Sequence, residues 1–151
     1  MSEIFIALYA PSSVQKLLDF VKTVYVSPRL VPVIIKPYGA AAQVGIPEAY
    51  KISYKLGRPL IVLPEAKDLV DVLACKRVYY LDESGSQLDL SSIISSSEKS
   101  AIIIPSGEQE PVPREISSTH IVWPSEIPRG LPPVAIAGVI VYEIVRQGIL
   151  K

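Results

Sequence analysis

Residues 101–113 read AIIIPSGEQEPVP and residues 119–147 read THIVWPSEIPRGLPPVAIAGVIVYEIVRQ. An apolar β-branched run enters a Pro/Gly loop, a second apolar run enters another, and that second loop opens a long apolar helix. Loops that leave the C-terminal ends of strands are where open α/β sheets place their ligands, because backbone N–H and C=O groups are presented there. The pattern predicts strands over 101–104 and 120–123 and a helix over 134–149, apolar on most sides and therefore buried or partnered.

Upstream, the same alternation recurs. Ile4 to Tyr9 is an apolar run ended by Ala10-Pro11-Ser12-Ser13, where Ser12 or Ser13 can cap a helix with Val14, Leu17, Leu18, Val21 and Val24 on its apolar face. Leu30 to Ile35 is a second strand, stopped by Pro37-Tyr38-Gly39, and Ala49, Ile52, Ser53 and Leu56 follow at helical spacing before Gly57 closes the helix. Leu60 to Leu63 is a short buried strand, and a helix opened by Pro64 carries Leu69, Val70, Val72 and Leu73. Arg77 to Leu81 is a strand, and the Ser-rich stretch 84–100 reads as a connector with a short helix near 88–94 and a mobile turn at Asp82-Glu83-Ser84-Gly85. Strands that alternate with helices, and that are apolar on both faces, predict one α/β domain over 1–151. It is a mostly parallel sheet with helices on both faces.

Composition narrows the function classes. Acidic and basic residues balance at fifteen each, so no global field draws the chain onto a polyanion, and nucleic-acid binding would need a local patch. Cys75 is the single cysteine, which excludes an internal disulfide and a cysteine-based zinc site. With no secretory leader and no apolar run of about twenty residues, the chain reads as cytoplasmic and unattached to a membrane. The absence of Asn, the single Met and the fourteen prolines fit a thermophilic source.

Familiar phosphate-binding signatures are missing: neither GxGxxG nor GxxxxGK[ST] occurs, and the turn 9–13 has no glycine. GxSxG is also absent, and the only histidine, His120, sits inside a strand, where a structural role is the expectation. The remaining chemistry lies in the two loops. Gly107 and Gly130 permit close backbone approach, Glu108 and Glu110 can accept from a ribose, and Arg129 supplies a positive head near the opening of the last helix. The small-residue run 39–48 can form a lid or a helix extension, and Lys36, Lys51, Lys55 and Arg58 can form a basic edge for RNA phosphates.

Taken together, AIIIPSGEQEPVP, IVWPSEIPRGL and VAIAGVIVYEIV resemble the C-terminal half of the SPOUT class of RNA methyltransferases. The resemblance implies a C-terminal trefoil knot that holds S-adenosylmethionine, a homodimer through the last helix, and RNA as substrate. It assigns the cofactor to Pro105, Gly107, Glu108, Trp123, Pro124, Gly130, Leu131 and Val134, and names Lys16 and Arg129 as catalytic candidates. Lys16 stands where that class often carries an arginine, and Leu131-Pro132-Pro133 lacks its usual asparagine, departures that leave a non-catalytic RNA-binding module of the same fold as an alternative.

A second likeness spans the whole chain. The PSSVQK turn, GAAAQ-GIPEA and KLG-PLIVLP resemble a small archaeal family whose members are labelled RecB-family nucleases. Nucleases of the PD-(D/E)xK kind hold Mg²⁺ with two carboxylates and orient water with a lysine. Glu65-Ala66-Lys67 after the third strand fits that triplet, with Asp68 or Glu48 as the partner acid.

Overall fold

The computed structural model describes residues 3–150. Six strands alternate with helices in chain order: β1 (Ile4–Tyr9), α1 (Val14–Val24), β2 (Leu30–Ile35), α2 (Ile46–Leu56), β3 (Ile61–Leu63), α3 (Asp68–Asp71), β4 (Arg77–Leu88), α4 (Leu90–Ile94), β5 (Ser100–Pro105), β6 (His120–Pro124) and α5 (Pro133–Leu150). The strands form one sheet in the order β3-β2-β1-β5-β4-β6, and every pairing is parallel. The α/β class and the parallel sheet therefore stand as the sequence predicts. β5 runs between β1 and β4 and is the sole strand link between the β1–β2–β3 half and the β4–β6 half.

Strand residues point alternately to two cores. Ile4, Ile6 and Leu8 of β1 pack with α1, α2, α4 and α5, while Phe5, Ala7 and Tyr9 pack on the other face with Leu69 of α3, Cys75 and Ile116. Since β1, β2 and β5 are buried on both faces, their runs are continuously apolar instead of alternating. Ser13 caps α1 as expected, its Oγ accepting from the Lys16 N–H at 3.2 Å.

One local reading is decided and two change. Of the alternatives for residues 39–48 the structure takes the helix extension, not the lid: the chain is helical from Gly39, passes through a π-helical turn at Ala41–Gly45 and continues into α2. The Ala41 N–H donates to the Ser12 carbonyl at 3.0 Å, and a Cβ built on Gly45 would lie 3.5 Å from Leu17, so the small residues let this turn nest on α1. Pro64 does not open α3, which starts four residues later at Asp68 after a turn. Finally, β4 does not end at Leu81. Leu81 and Ser86 both pair with Val122 of β6, so Asp82–Gly85 are extruded as a bulge and pairing resumes through Leu88 with Pro124.

The bulge replaces the mobile turn expected there. Asp82 accepts from the Ser84 N–H at 3.2 Å and from its hydroxyl. A Cβ on Gly85 would meet the backbone of Ile121 and Val122 at 2.7–2.8 Å. Only glycine lets the two backbones come this close.

Candidate functional site

At the C-terminal end of the sheet, where β4, β5 and β6 run out, the chain forms an open cavity of about 350 Å³. Leu81, Trp123, Leu131 and Ile136 give it apolar walls, Pro105, Ser106 and Gly107 contribute the loop after β5, and Asp82, Glu83 and Glu110 supply carboxylates. The volume suits a small-molecule ligand. Gly107 and Gly130 both lie in the left-handed region, at φ +80° and +83°, with nothing within 4 Å of a Cβ built on either. Backbone can therefore approach a ligand there without a side chain in the way.

Both loops are tied down by specific bonds. Ser106 donates from N–H to the Tyr9 carbonyl at 3.3 Å and from Oγ to the Ala10 carbonyl at 2.9 Å, which fixes the β5 loop against the end of β1. Across the β6–α5 loop, the Gly130 N–H donates to Glu83 Oε2 at 2.7 Å and the Arg129 guanidinium donates to the Glu83 carbonyl. The bulge of β4 thus straps the second loop. Trp123 is held from within the same loop, its Nε1 donating to the Ile127 carbonyl at 2.9 Å.

Of the sequence candidates, Pro105, Gly107, Trp123 and Leu131 share this cavity. Gly130 and Arg129 sit at its rim on Glu83, and Pro124 and Arg129 line a separate open depression with Gly85 and Gln87. Lys16, Glu108 and Val134 come together in an adjoining cavity of about 80 Å³, which shares Ser106 and Pro133 with the larger one. Glu108 points away from the larger cavity: the Ser12 hydroxyl and N–H both donate to its carboxylate. Those hydrogen bonds from Ser12, aided by nearby Lys16, hold the Glu108 carboxyl below the usual carboxylate range. Leu81, Asp82, Glu83, Ser106, Pro133 and Ile136 line the cavity without belonging to a sequence motif, whereas Glu110 is a carboxylate the sequence offers to a ribose. For Asp82 and Glu83 a signal existed, since they follow the apolar run Arg77–Leu81 at a strand's C-terminal end.

Elsewhere, Glu65 and Lys67 pair with each other at 3.4 Å, and Asp68 accepts from the Glu65 N–H at 3.2 Å. Glu48 pairs with Lys51 on α2. Among the described residues no group of three or more His, Cys, Asp and Glu side chains is placed to hold a metal ion. Arg58 is absent from the expected basic edge. It is turned inward, donating to the carbonyls of Tyr25, Ser27 and Leu30 at 2.9–3.0 Å. Burial pushes the Cys75 thiol up to about 11, which keeps it protonated and a poor nucleophile at neutral pH. His120 lies exposed on the edge strand against the Tyr79 ring at 5.8 Å, away from the cavity. Among the described residues no helix is long and apolar enough to cross a membrane.

Comparison with known proteins gives two sets of relatives. An Aeropyrum pernix protein provisionally named type II restriction enzyme ApeKORF2002P is 30% identical over 148 residues, 97% of this chain and 95% of that one. Among solved structures, the SpoU methyltransferase AviRb from Streptomyces viridochromogenes, in complex with AdoMet, superposes with a TM-score of 0.69 at 12% identity, covering 99% of this chain and 62% of that one. A structure described under 2-OH methylation of C/U34 on tRNA gives a TM-score of 0.65 at 20% identity and covers 99% of both chains. At these identities the structural likeness establishes the fold, that of the SPOUT methyltransferases. The family model described as RecB-family nuclease (DUF2122) matches residues 39–143. On that match and the Aeropyrum relative together, the chain belongs to the family described as RecB-family nuclease (DUF2122).

Proposed function

We propose that this protein binds S-adenosylmethionine in the cavity at the ends of β4, β5 and β6 and transfers its methyl group to RNA. The supporting observation is the cavity itself, about 350 Å³ between two Pro/Gly loops and the start of α5. When bound, the cofactor supplies an electrophilic methyl group on a positively charged sulfonium. The carboxylates of Asp82, Glu83 and Glu110 suit a cationic ligand, the apolar walls suit an adenine ring, and the open backbone at Gly107 suits hydrogen bonding to its edge. Arg129 serves the pocket by anchoring its loop to Glu83. Lys16, exposed, lines the adjoining cavity and is the cation there that can meet a substrate phosphate or hydroxyl.

The reading includes a trefoil knot in the C-terminal half and a homodimer through α5, whose Tyr142 and Val145 are left 63% and 43% exposed. The likeness of fold to SPOUT methyltransferases, one of them solved with AdoMet, supports it. Calorimetry with S-adenosylmethionine is expected to give a saturable heat and a rise in melting temperature, and tritium from labelled cofactor is expected in an RNA pool. No heat together with no thermal protection would sink the cofactor proposal. Cofactor binding with no transfer to RNA would leave a binding module without the chemistry.

The family's description favours a second reading, a metal-dependent nuclease built on Glu65 and Lys67. Its test is Mg²⁺-dependent cleavage of DNA or RNA that disappears in Glu65→Ala. In the structure the Glu65 carboxylate is paired to Lys67 and the Asp68 carboxylate accepts from the Glu65 N–H, so this reading requires both acids to turn from their present partners toward one ion.

A further inference from the structure

The same edge of the sheet carries another cavity at its opposite end. It holds about 440 Å³ and is lined by Lys36, Glu65, Ala66, Lys67, Arg114 and Glu115, drawn from the ends of β2 and β3 and from the 3-10 turn Pro113–Ile116 ahead of β6. Three cations and two carboxylates face one space, but the charges are not equally engaged. Glu115 is satisfied from beneath: the hydroxyl of fully buried Tyr9 donates to it, and Lys36 Nζ lies 3.1 Å away. Burial alone would raise the Glu115 carboxyl, yet the bonds from Tyr9 and Lys36 outweigh it and hold the group below its ordinary range.

Lys36 is also fixed in backbone. It lies at φ +51°, a region unfavourable for a side-chain-bearing residue, and its N–H donates to the Leu63 carbonyl at 3.0 Å. Its ammonium stands 5.8 Å from the Tyr9 ring centroid. By contrast, the Lys67–Glu65 pair is more than half exposed and is therefore weak. The Arg114 side chain is exposed, and among the described residues it has no hydrogen-bond or ion-pair partner.

We propose that this cavity is a phosphodiester site, in which Arg114 and Lys36 hold a backbone phosphate of a nucleic-acid strand and Lys67 swings from Glu65 to complete the clamp. Arg114 offers the planar fork that grips two phosphate oxygens, and Lys36 is a point charge held in place before the strand arrives. Glu65 opposes the ligand electrostatically and weakens the site. The inference stands apart from the cofactor reading, since methylated and cleaved strands share the phosphodiester.

The test is fluorescence anisotropy on the full chain, with a labelled single-stranded RNA of about twelve nucleotides, the matching DNA and inorganic phosphate as competitor, at about 50 to 200 mM salt. Arg114→Ala should weaken oligonucleotide binding roughly five- to tenfold and make the negative slope of log affinity against log salt shallower by roughly 0.7. Glu65→Gln should strengthen binding several-fold, a change of opposite sign that a general loss of structure cannot produce. A larger effect on RNA or on DNA identifies the polymer and supports the site in either case. Unchanged affinity and slope in both variants overturns it. So does failure of any oligonucleotide to bind, or a response confined to inorganic phosphate, which would reduce the cavity to a free-anion site.

Discussion

Gly85 carries more of the fold than its size suggests. A Cβ there would lie 2.7 Å from the Val122 nitrogen, against backbone that cannot swing aside. Gly85→Ala is expected to destabilise the protein by about 1–3 kcal/mol, read as a lower urea midpoint. Arg58 works in the opposite sense, by its length and its fork. Its guanidinium satisfies three carbonyls at the end of α1 and the start of β2 and stacks 5.0 Å from the Tyr25 ring centroid. Arg58→Lys is expected to lose about 1–3 kcal/mol in the same measurement, because an ammonium cannot reach all three acceptors. Glu108 and Glu115 set a pH dependence. Both have carboxyls held below their unfolded value of about 4.3, so their stabilisation is complete above that value and is lost as pH falls through the lower folded values. Urea midpoints measured from about pH 5 down to pH 2 should fall for the native chain and fall less for Glu108→Gln/Glu115→Gln; equal slopes would refute the assignment.

Among elements, the strap from the β4 bulge to the β6–α5 loop hangs on one side chain. Glu83→Ala removes the acceptor of the Gly130 N–H and the charge facing Arg129, while Arg129 keeps the Glu83 carbonyl. The expected cost is about 1 kcal/mol or more, the loop's tether and one carboxylate facing the cavity being lost together, seen by calorimetry as a roughly fivefold or larger fall in S-adenosylmethionine affinity with little change in melting temperature. This strap also marks the limit of what the sequence tells. The strands at 101–104 and 120–123 and the last helix were legible because continuous β-branched runs and Pro/Gly loops have local causes. The extension of β4 was not legible: Asp82-Glu83-Ser84-Gly85 has the composition of a free turn, and only pairing with Val122, far along the chain, turns it into a bulge. Glu108 was assigned to a ribose for the same kind of reason. Its neighbour in space, Ser12, lies ninety-six residues away, and no local pattern announces that bond.

At the scale of the whole molecule, the exposed side chains of α5 bear on assembly. Ile136, Ile140, Val141 and Ile144 face the core, while Tyr142 and Val145 face outward on the same helix. Sedimentation at micromolar concentration is expected to show a dimer, and Tyr142→Glu should shift it to monomer without loss of helical circular dichroism; a native monomer removes the dimer from the proposal. The strand order carries a different consequence, for synthesis. β1 is central in the finished sheet, yet β5, which covers one of its edges, leaves the ribosome about ninety residues after it. Until then the nascent β1–β2–β3 unit presents a bare, wholly apolar parallel edge, the kind of surface that recruits other strands. That window closes only once Ser100–Pro105 has cleared the ribosome and paired with β1.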